Sequence, residues 1–464
     1  MPKFEGERSP GFKLLLAILI GAALAIPLFS VWLLVYDRQT QSEQATASIT
    51  EGWGGPQAIS GPVLVIPYRA TAQETVVENG QSVTRSRDVM RELILSPEVS
   101  EYATELRPQV RKRSIYEAVV YDAHVKGGAG FKLPPDLVRS GVDVAQMDLT
   151  RAELRFGLSD PRGLGANPKV GANGEGLRLQ PGGGSSGGRG FFAWIDATAL
   201  PSKPLSVAFE FDLRGNQSLT LAPQAGSTAW RVRSSWPSPS FGGDFLPGAR
   251  RVSASGFDAT YRVGNLALGK SLVTTGDAGQ SNIVEKIPPA TTSAYNGPRD
   301  AGVPQVASIS LIQPVDLYSQ VNRATKYGFL FIGFTFLALL MFDVIAGVRV
   351  SAVEYLLMGA AIVLFFVLLL AFAEVIGFTA AYILASAAIA GLNTAYSAAV
   401  LGSWKRAWFI GGLLVALYAV LYILLSLEAF SLLIGSLLLF AALAGVMYGT
   451  RRIDWSAPRQ QRAE

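Results

Sequence analysis

Gly264, Gly269, Lys270 and Ser271 fit the spacing G-x-x-x-x-G-K-[ST]. In a phosphate loop of that pattern backbone amides cradle the phosphates, the lysine pairs the terminal ones and the hydroxyl holds magnesium. The pattern needs a strand before it and a helix after it. Here Leu-Val-Thr-Thr-Gly-Asp-Ala-Gly completes it, which is no helix, so a turn between strands is the expected reading. His124, the single histidine, stands in the strand-like run Tyr-Asp-Ala-His-Val and is expected on a surface or in packing. One histidine and no cysteine exclude histidine triads, multi-histidine zinc sites, thiolate nucleophiles and disulfides by count. Serine and lysine are abundant, yet no Ser-x-x-Lys motif and no strand-to-helix Gly-x-Ser-x-Gly context supports serine catalysis. Asn216-Gln-Ser matches a glycosylation acceptor, a pattern common by chance.

A second group of candidates lies in apolar surroundings. Asp343, Glu354, Glu374 and Glu428 fall near the ends of apolar runs, and Asn393 falls deeper in one. Ionisable groups inside a membrane are functional candidates by default. At helix ends, however, carboxylates reach water or headgroups cheaply, whereas a proton or ion pathway would want them near the midplane. Asn393, Glu374 and Asp343 are the candidate intramembrane polar contacts, with Asn393 expected to hydrogen-bond between helices. No catalytic, cofactor-binding or metal-ligating residue is assigned, and no cofactor is expected.

The elements that hold these residues follow from hydrophobic patterning. Of 464 residues half are hydrophobic and only 16% are charged, against roughly 25% in soluble domains. A bilayer core of about 30 Å needs roughly 20 apolar residues in a helix. The stretches 12–36, 327–348, 355–373, 375–401, 407–427 and 429–450 meet that need. The first has a basic leader (Lys3, Arg8, Lys13) but an apolar run too long for a signal peptide, and Trp32, Leu33 and Leu34 stand where small residues would be cleaved. It reads as an uncleaved anchor, with Pro27 expected to kink it. Placing the N-terminus in the cytoplasm puts Arg349, Lys405, Arg406, Arg451, Arg452, Arg459 and Arg462 on the same side, while the two short opposite loops carry Glu374 and Glu428. The positive-inside rule therefore predicts both termini in the cytoplasm and export of residues 37–326.

The exported stretch reads as strands. Gly61-Pro-Val-Leu-Val-Ile-Pro-Tyr68 is a short apolar run between turn residues, and Leu205, Val207, Phe209, Phe211 and Leu213 alternate with polar neighbours. That period of two buries one face. Weaker alternation recurs at 116–125 and 259–263. The stretch 37–53 is expected to continue the anchor as a stalk, and the Gly-rich stretch 163–190 to be a flexible loop. The expected architecture is a membrane protein of mixed class. It has an N-terminal transmembrane anchor helix at 1–36, a large extracytoplasmic all-β sandwich-like domain at 37–326, a C-terminal bundle of five transmembrane helices at 327–450 and a basic tail at 451–464. Small residues at intervals of four (Ala387, Gly391, Ala395, Ala399; Ala441, Gly445, Gly449) are expected to let helix backbones approach closely.

Several segments, taken in order, resemble the CreD (Cet) family of inner-membrane proteins. They are the Gly61-Pro62 strand ending at Pro67, Ala152-Glu-Leu-Arg-Phe-Gly-Leu-Ser-Asp160 and Ser235-Trp-Pro-Ser-Pro-Ser-Phe-Gly-Gly-Asp-Phe-Leu-Pro247. Further on come Pro314-Val-Asp-Leu-Tyr318, Lys326-Tyr-Gly-Phe-Leu-Phe331, Val353-Glu-Tyr-Leu-Leu357, Glu374-Val-Ile-Gly-Phe-Thr379 and Arg452-Ile-Asp-Trp455. The resemblance implies a bacterial inner-membrane protein of cell-envelope integrity, associated with a two-component system, colicin tolerance and the β-lactam stress response. It supplies no catalytic residues. The expected function is non-catalytic: the β domain binds a periplasmic envelope protein or peptidoglycan, and the lipid bilayer holds the bundle. No nucleic-acid partner is expected. The alternatives are a transporter or lipid flippase working through the bundle, or a periplasmic envelope hydrolase.

Overall fold

The computed structural model describes residues 10–464 except 79–80, 114–115, 184–187, 278–304, 312–316, 346–349, 427–432, 434–435, 438–439, 441–442, 445–446, 449–450 and 452–464. The chain divides into two compact units, one of residues 1–44 with 315–464 and one of residues 45–314.

The second unit is built from strands β1 (Gln57–Glu78), β2 (Gln81–Leu95), β3 (Val99–Arg113), β4 (Tyr116–Phe131), β5 (Ala152–Leu158), β6 (Lys169–Ala172), β7 (Glu175–Gly176), β8 (Leu179–Pro181), β9 (Gly190–Ile195), β10 (Leu205–Asn216), β11 (Ser218–Ala222), β12 (Ser227–Ser234), β13 (Pro239–Gly243), β14 (Ala249–Ser253), β15 (Gly256–Gly264), β16 (Val273–Asp277) and β17 (Ala307–Leu311). One sheet runs β13-β17-β11-β1-β5-β9-β8, with β2 also on β1 and β16 on β2; the other runs β14-β15-β12-β3-β4-β10-β6-β7. Strand β10 shows why. Leu205, Val207, Phe209, Phe211 and Leu213 are all buried while Ser206, Ala208, Asp212 and Arg214 are exposed, as the two-residue period requires. Between the sheets Phe156 of β5 meets Phe209 of β10 edge to face at 5.4 Å and stacks on Phe191 at 4.8 Å. Each such aromatic side chain contributes about 1.5–3 kcal/mol by leaving water. The Tyr102 hydroxyl donates to the Gly61 carbonyl across the same core, and burial pushes that phenol well above its ordinary range.

The Gly-rich stretch departs from the expected flexible loop. It holds β6, β7 and β8. Two of its glycines serve close backbone approach: a Cβ on Gly163 would lie 2.2 Å from the Arg214 carbonyl oxygen, and one on Gly190 would lie 2.0 Å from that of Phe156. At those two positions glycine reflects lack of room for a side chain. Residues 264–271 form the turn between strands: β15 ends at Gly264, a single helical turn α2 (Asn265–Leu268) follows, and Gly269 closes it at φ 62°. The Ser271 hydroxyl accepts from the Val273 amide at 3.2 Å, so it serves the turn.

The first unit is helical. Helix α1 spans Pro10–Glu51 and passes Pro27 without a break, so the polar stalk does continue the anchor. Then come α3 (Leu317–Lys326), α4 (Gly328–Ile345), α5 (Ala352–Ile376), α6 (Phe378–Leu401) and α7 (Trp404–Ser426). Among the described residues five helical stretches are long and apolar enough to cross a membrane. The expected span 429–450 lies largely outside the described residues, although Leu433, Leu437 and Phe440 within it are helical. Phe365 of α5 lies 4.6 Å from Tyr418 of α7, which ties the two helices. The small-residue stripe of α6 departs from expectation. Ala387, Gly391, Ala395 and Ala399 are exposed, and a Cβ on Gly391 would meet nothing within 4 Å. The close approach is made instead by Gly411 of α7, whose added Cβ would lie 2.3 Å from Thr394 Oγ1. A helix apolar all round does not disclose which face packs. Ala441, Gly445 and Gly449 lie outside the described residues.

Candidate functional site

The structure places the three polar candidates of the helical unit apart. Asp343, near the end of α4, is 2% exposed, and its Oδ1 accepts from the Lys13 ammonium of α1 at 2.5 Å. A helix-end carboxylate was expected to find water; it finds a cation from the anchor instead, which lowers the cost of its burial. Glu374, near the end of α5, accepts from the Tyr318 hydroxyl of α3 at 3.3 Å, with Arg38 Nε of α1 at 4.0 Å. Asn393 is buried on α6, and its Nδ2 has no hydrogen-bond partner among the described residues. Its carbonyl oxygen on the main chain accepts from Ser397 Oγ at 2.7 Å, and Ser397 in turn lies 3.9 Å from the Met358 sulfur of α5. Trp32 of α1 donates to Asn322 Oδ1 of α3 at 3.0 Å. Helix α1 is thus bonded into the helical unit near both of its apolar ends.

Composition and motif searching missed the most concentrated chemistry, which lies on the outer face of the eight-stranded sheet. Pairing registers place side chains in cross-strand rows. One row reads Arg251, Asp258, Arg233, Glu105, His124, Asp212 across β14, β15, β12, β3, β4 and β10. Cation and carboxylate alternate up to the imidazole. Asp258 accepts from Arg231 Nη2 at 2.6 Å and from Arg233 Nε at 2.9 Å. The Arg231 hydrogen bond is the main cause holding its carboxyl below the ordinary range. Glu105 accepts two bonds from Arg107, at 3.1 and 2.9 Å, and these hold its carboxyl down in the same way. His124 Nδ1 lies 2.9 Å from Asp212 Oδ1, and Nε2 lies 3.4 Å from Glu210 Oε1. The lone histidine is therefore a half-exposed member of a charge ladder.

Between β12, β3 and β4 this face sinks into a groove of about 850 Å³ lined by Glu105, Arg107, Lys126, Arg231, Arg233 and Asp258, with Ser234, Ser235 and Ser255 beside them. Its one aromatic lining residue, Phe257, is buried. Four fixed cations face two carboxylates, so the groove is electropositive. The signal was legible only in part: the exposed positions of each strand carry charge, but which charges meet depends on registers that one sequence does not print.

A further charged cluster lies on the nine-stranded sheet, on the face turned from the sandwich core. Arg155 of β5 donates through Nε to Glu153 at 2.8 Å and through Nη2 to Glu92 of β2 at 3.1 Å. The three are 5%, 2% and 5% exposed. Two carboxylates converge here, as glycoside hydrolysis would need, but both are occupied by one guanidinium and closed to a substrate. Asn216, the glycosylation-like asparagine, is buried as well.

A strand-built domain and a set of apolar helices, with the anchor bonded into the latter, define a multi-helix membrane protein carrying a large β domain. Residues 9–456 match the family model described as inner membrane protein CreD. The chain belongs to that family of inner-membrane proteins. It is 32% identical to inner membrane protein CreD of Escherichia coli (strain K12) over 445 residues, covering 95% of this chain and 92% of the relative. Among solved structures the M1 zinc metallopeptidase of Deinococcus radiodurans aligns over 36% of this chain and 38% of its own at 9% identity and a TM-score of 0.21, too slight a likeness to carry an argument.

Proposed function

We propose that this inner-membrane protein supports cell-envelope integrity without catalysis, by binding an envelope partner through the charged outer face of its eight-stranded sheet. The observation that carries the reading is the groove itself: a concave, electropositive surface, open to solvent and built from seven named polar or charged positions on four strands. The clustered lysines and arginines of the short loops support a topology with both termini in the cytoplasm and the β domain in the periplasm. The occupied state of Glu92, Glu153 and Arg155 weighs against hydrolysis at that carboxylate pair. Photo-crosslinking tests the reading. A photoreactive residue at Ala229 or Gln109, on the charged face, is expected to capture an envelope component in living cells. Capture at neither position above the background of unirradiated cells overturns it.

Transport through the helical unit is the second reading, and Asn393 Nδ2, buried without a hydrogen-bond partner among the described residues, favours it. Under it, Asn393→Leu, Glu374→Gln and Asp343→Asn each impair the envelope phenotype; intact phenotypes in all three remove it.

A further inference from the structure

The rows of the charged face differ in one respect. In the row through His124, every cation has a carboxylate as cross-strand neighbour: Arg251 and Arg233 flank Asp258, and Glu105 lies between Arg233 and His124. The adjacent row reads Arg231, Ala103, Lys126, Glu210, Lys169 across β12, β3, β4, β10 and β6. At the place where alternation would put an acid, between Arg231 and Lys126, stands an alanine. Strands lie about 4.8 Å apart, so two long cationic side chains rise from backbones roughly 10 Å apart with only a methyl group between them. The small Ala103 side chain forms the floor of the groove for that reason. The Lys126 side chain is exposed, and no hydrogen bond or ion pair joins it to another described residue. Arg231 and Arg233 share the single carboxylate Asp258, which leaves positive charge in excess on that side.

We infer that the groove over Ala103 is a carboxylate seat, and that its occupant is an acidic peptide segment of an extracytoplasmic partner. The carboxylate from the partner completes the row that the chain leaves with two cations in succession. Arg231 gives Nε and Nη2 to Asp258 at 3.2 and 2.6 Å, which fixes its plane and leaves Nη1 to donate to the partner's carboxylate, and Lys126 supplies a point charge from the opposite wall. The groove continues along the strands past Arg107 and Arg233 to Ser234 and Ser235. The five residues of β3 from Ala103 to Arg107 span roughly 13 Å, which gives an extended peptide a second cationic contact and hydroxyl partners. A glycan chain is a poor occupant by the same chemistry, because no exposed aromatic ring lines the groove to stack on a sugar. The inference deepens the partner-binding reading above and rests on it.

The test uses the full-length protein in nanodiscs of phosphatidylcholine, whose neutral surface does not compete, with fluorescein-labelled hexaglutamate as probe and hexaserine as control. Hexaglutamate is expected to bind in a salt-dependent manner and hexaserine not to bind. Ala103→Glu supplies the missing carboxylate from the chain itself and is expected to weaken binding by about tenfold or more, whereas Ala103→Gln, of the same size, weakens it by no more than about threefold. Ala103 is exposed, so neither change threatens the fold, and an unchanged unfolding temperature confirms this. Lys126→Ala with Arg231→Ala weakens binding as Ala103→Glu does; Lys132→Ala with Lys203→Ala, of equal charge change outside the groove, does not. Equal binding by the Glu and Gln variants, equal loss in both double variants, or displacement by citrate at the affinity of hexaglutamate overturns the assignment. Crosslinks captured from Ala229 or Gln109 together with failure of hexaglutamate overturn the carboxylate seat and leave partner binding standing. Groove-dependent hexaglutamate binding without cellular crosslinks does the reverse.

Discussion

Arg155→Met should be among the most damaging substitutions available in the β domain. The guanidinium bonds both Glu92 and Glu153, and all three side chains are at most 5% exposed. Removing it leaves two carboxylates in one buried site. Breaking a buried ion cluster from one side costs about 3–5 kcal/mol, because the remaining charge is stranded out of water. The variant can escape by protonation, but a glutamate titrates near 4.3, and protonating one at pH 7 costs about 3.7 kcal/mol. The two routes give the same size of penalty, so about 3–5 kcal/mol is expected at neutral pH, a fall of roughly 10 °C in the unfolding of a domain this large.

The escape route also fixes the sign of the pH dependence. Without Arg155, burial and mutual repulsion disfavour the charged form of the two carboxylates in the folded state. The folded variant binds protons more readily than its unfolded chain, so its deficit should shrink as the pH falls from 7 towards 5. Thermal unfolding of the full chain in detergent, followed by tryptophan fluorescence, measures both effects. Arg155→Lys should recover only part of the loss, because an ammonium cannot reproduce the forked bonds. Arg155→Met combined with Glu92→Gln and Glu153→Gln should recover most of it. A variant within about 1 kcal/mol of the parent at pH 7, or a deficit that grows on acidification, would refute the reasoning.

Other expectations are as concrete. Gly127→Ala places a Cβ 2.2 Å from the Glu101 carbonyl oxygen and 2.5 Å from the Phe209 ring; this overpacking should lower stability by about 3 kcal/mol in the same unfolding assay. Asp160, whose carboxyl is held below its ordinary 3.8 chiefly by Arg162 and also by the Gly55 amide, should stabilise the parent over Asp160→Asn. That advantage is present above the ordinary value and is lost as the pH falls below it, read from unfolding midpoints at pH 6 and about 3. Asp343→Leu should lower the stability of the helical unit by about 2 kcal/mol, less than a fully buried pair because Lys13 is a quarter exposed, and Lys13→Met in the same chain should restore it. A phosphatase reporter inserted at 184–187 should be active outside the cytoplasm, and one fused after Glu464 should not; the opposite pattern reverses the topology.

What the sequence discloses and what it hides divides along physical lines. Apolar length discloses spans, since a membrane imposes nearly the same requirement on every helix, and period-two alternation discloses β10, since one of its faces is wet. The Ala152–Asp160 motif is legible as a family mark, yet its role is not. Glu153 and Arg155 stand two apart on one strand, a spacing that on most sheets means a solvated face. Here that face is buried, and the partner Glu92 arrives from β2, more than fifty positions earlier. The same limit hides the groove. Nothing around Ala103, Lys126 or Arg231 stands out locally, because the row they share is assembled by parallel pairing of β12 on β3 and antiparallel pairing of β3 on β4.

Glycine shows the converse error. A run rich in glycine suggests freedom, and the stretch 163–190 was expected to be loose on that ground. Gly163 and Gly190 instead sit where a neighbouring carbonyl leaves no space for a methyl group. Composition cannot separate glycine chosen for motion from glycine chosen for proximity; the discriminating quantity is the distance to the next backbone. On that criterion Gly163→Ala should destabilise the β domain, whereas Gly174→Ala, with open space but a φ of 92°, should cost only the smaller strain of its turn, about 1 kcal/mol. Equal unfolding midpoints for the two variants would restore the loose-loop reading that the strands of this segment displaced.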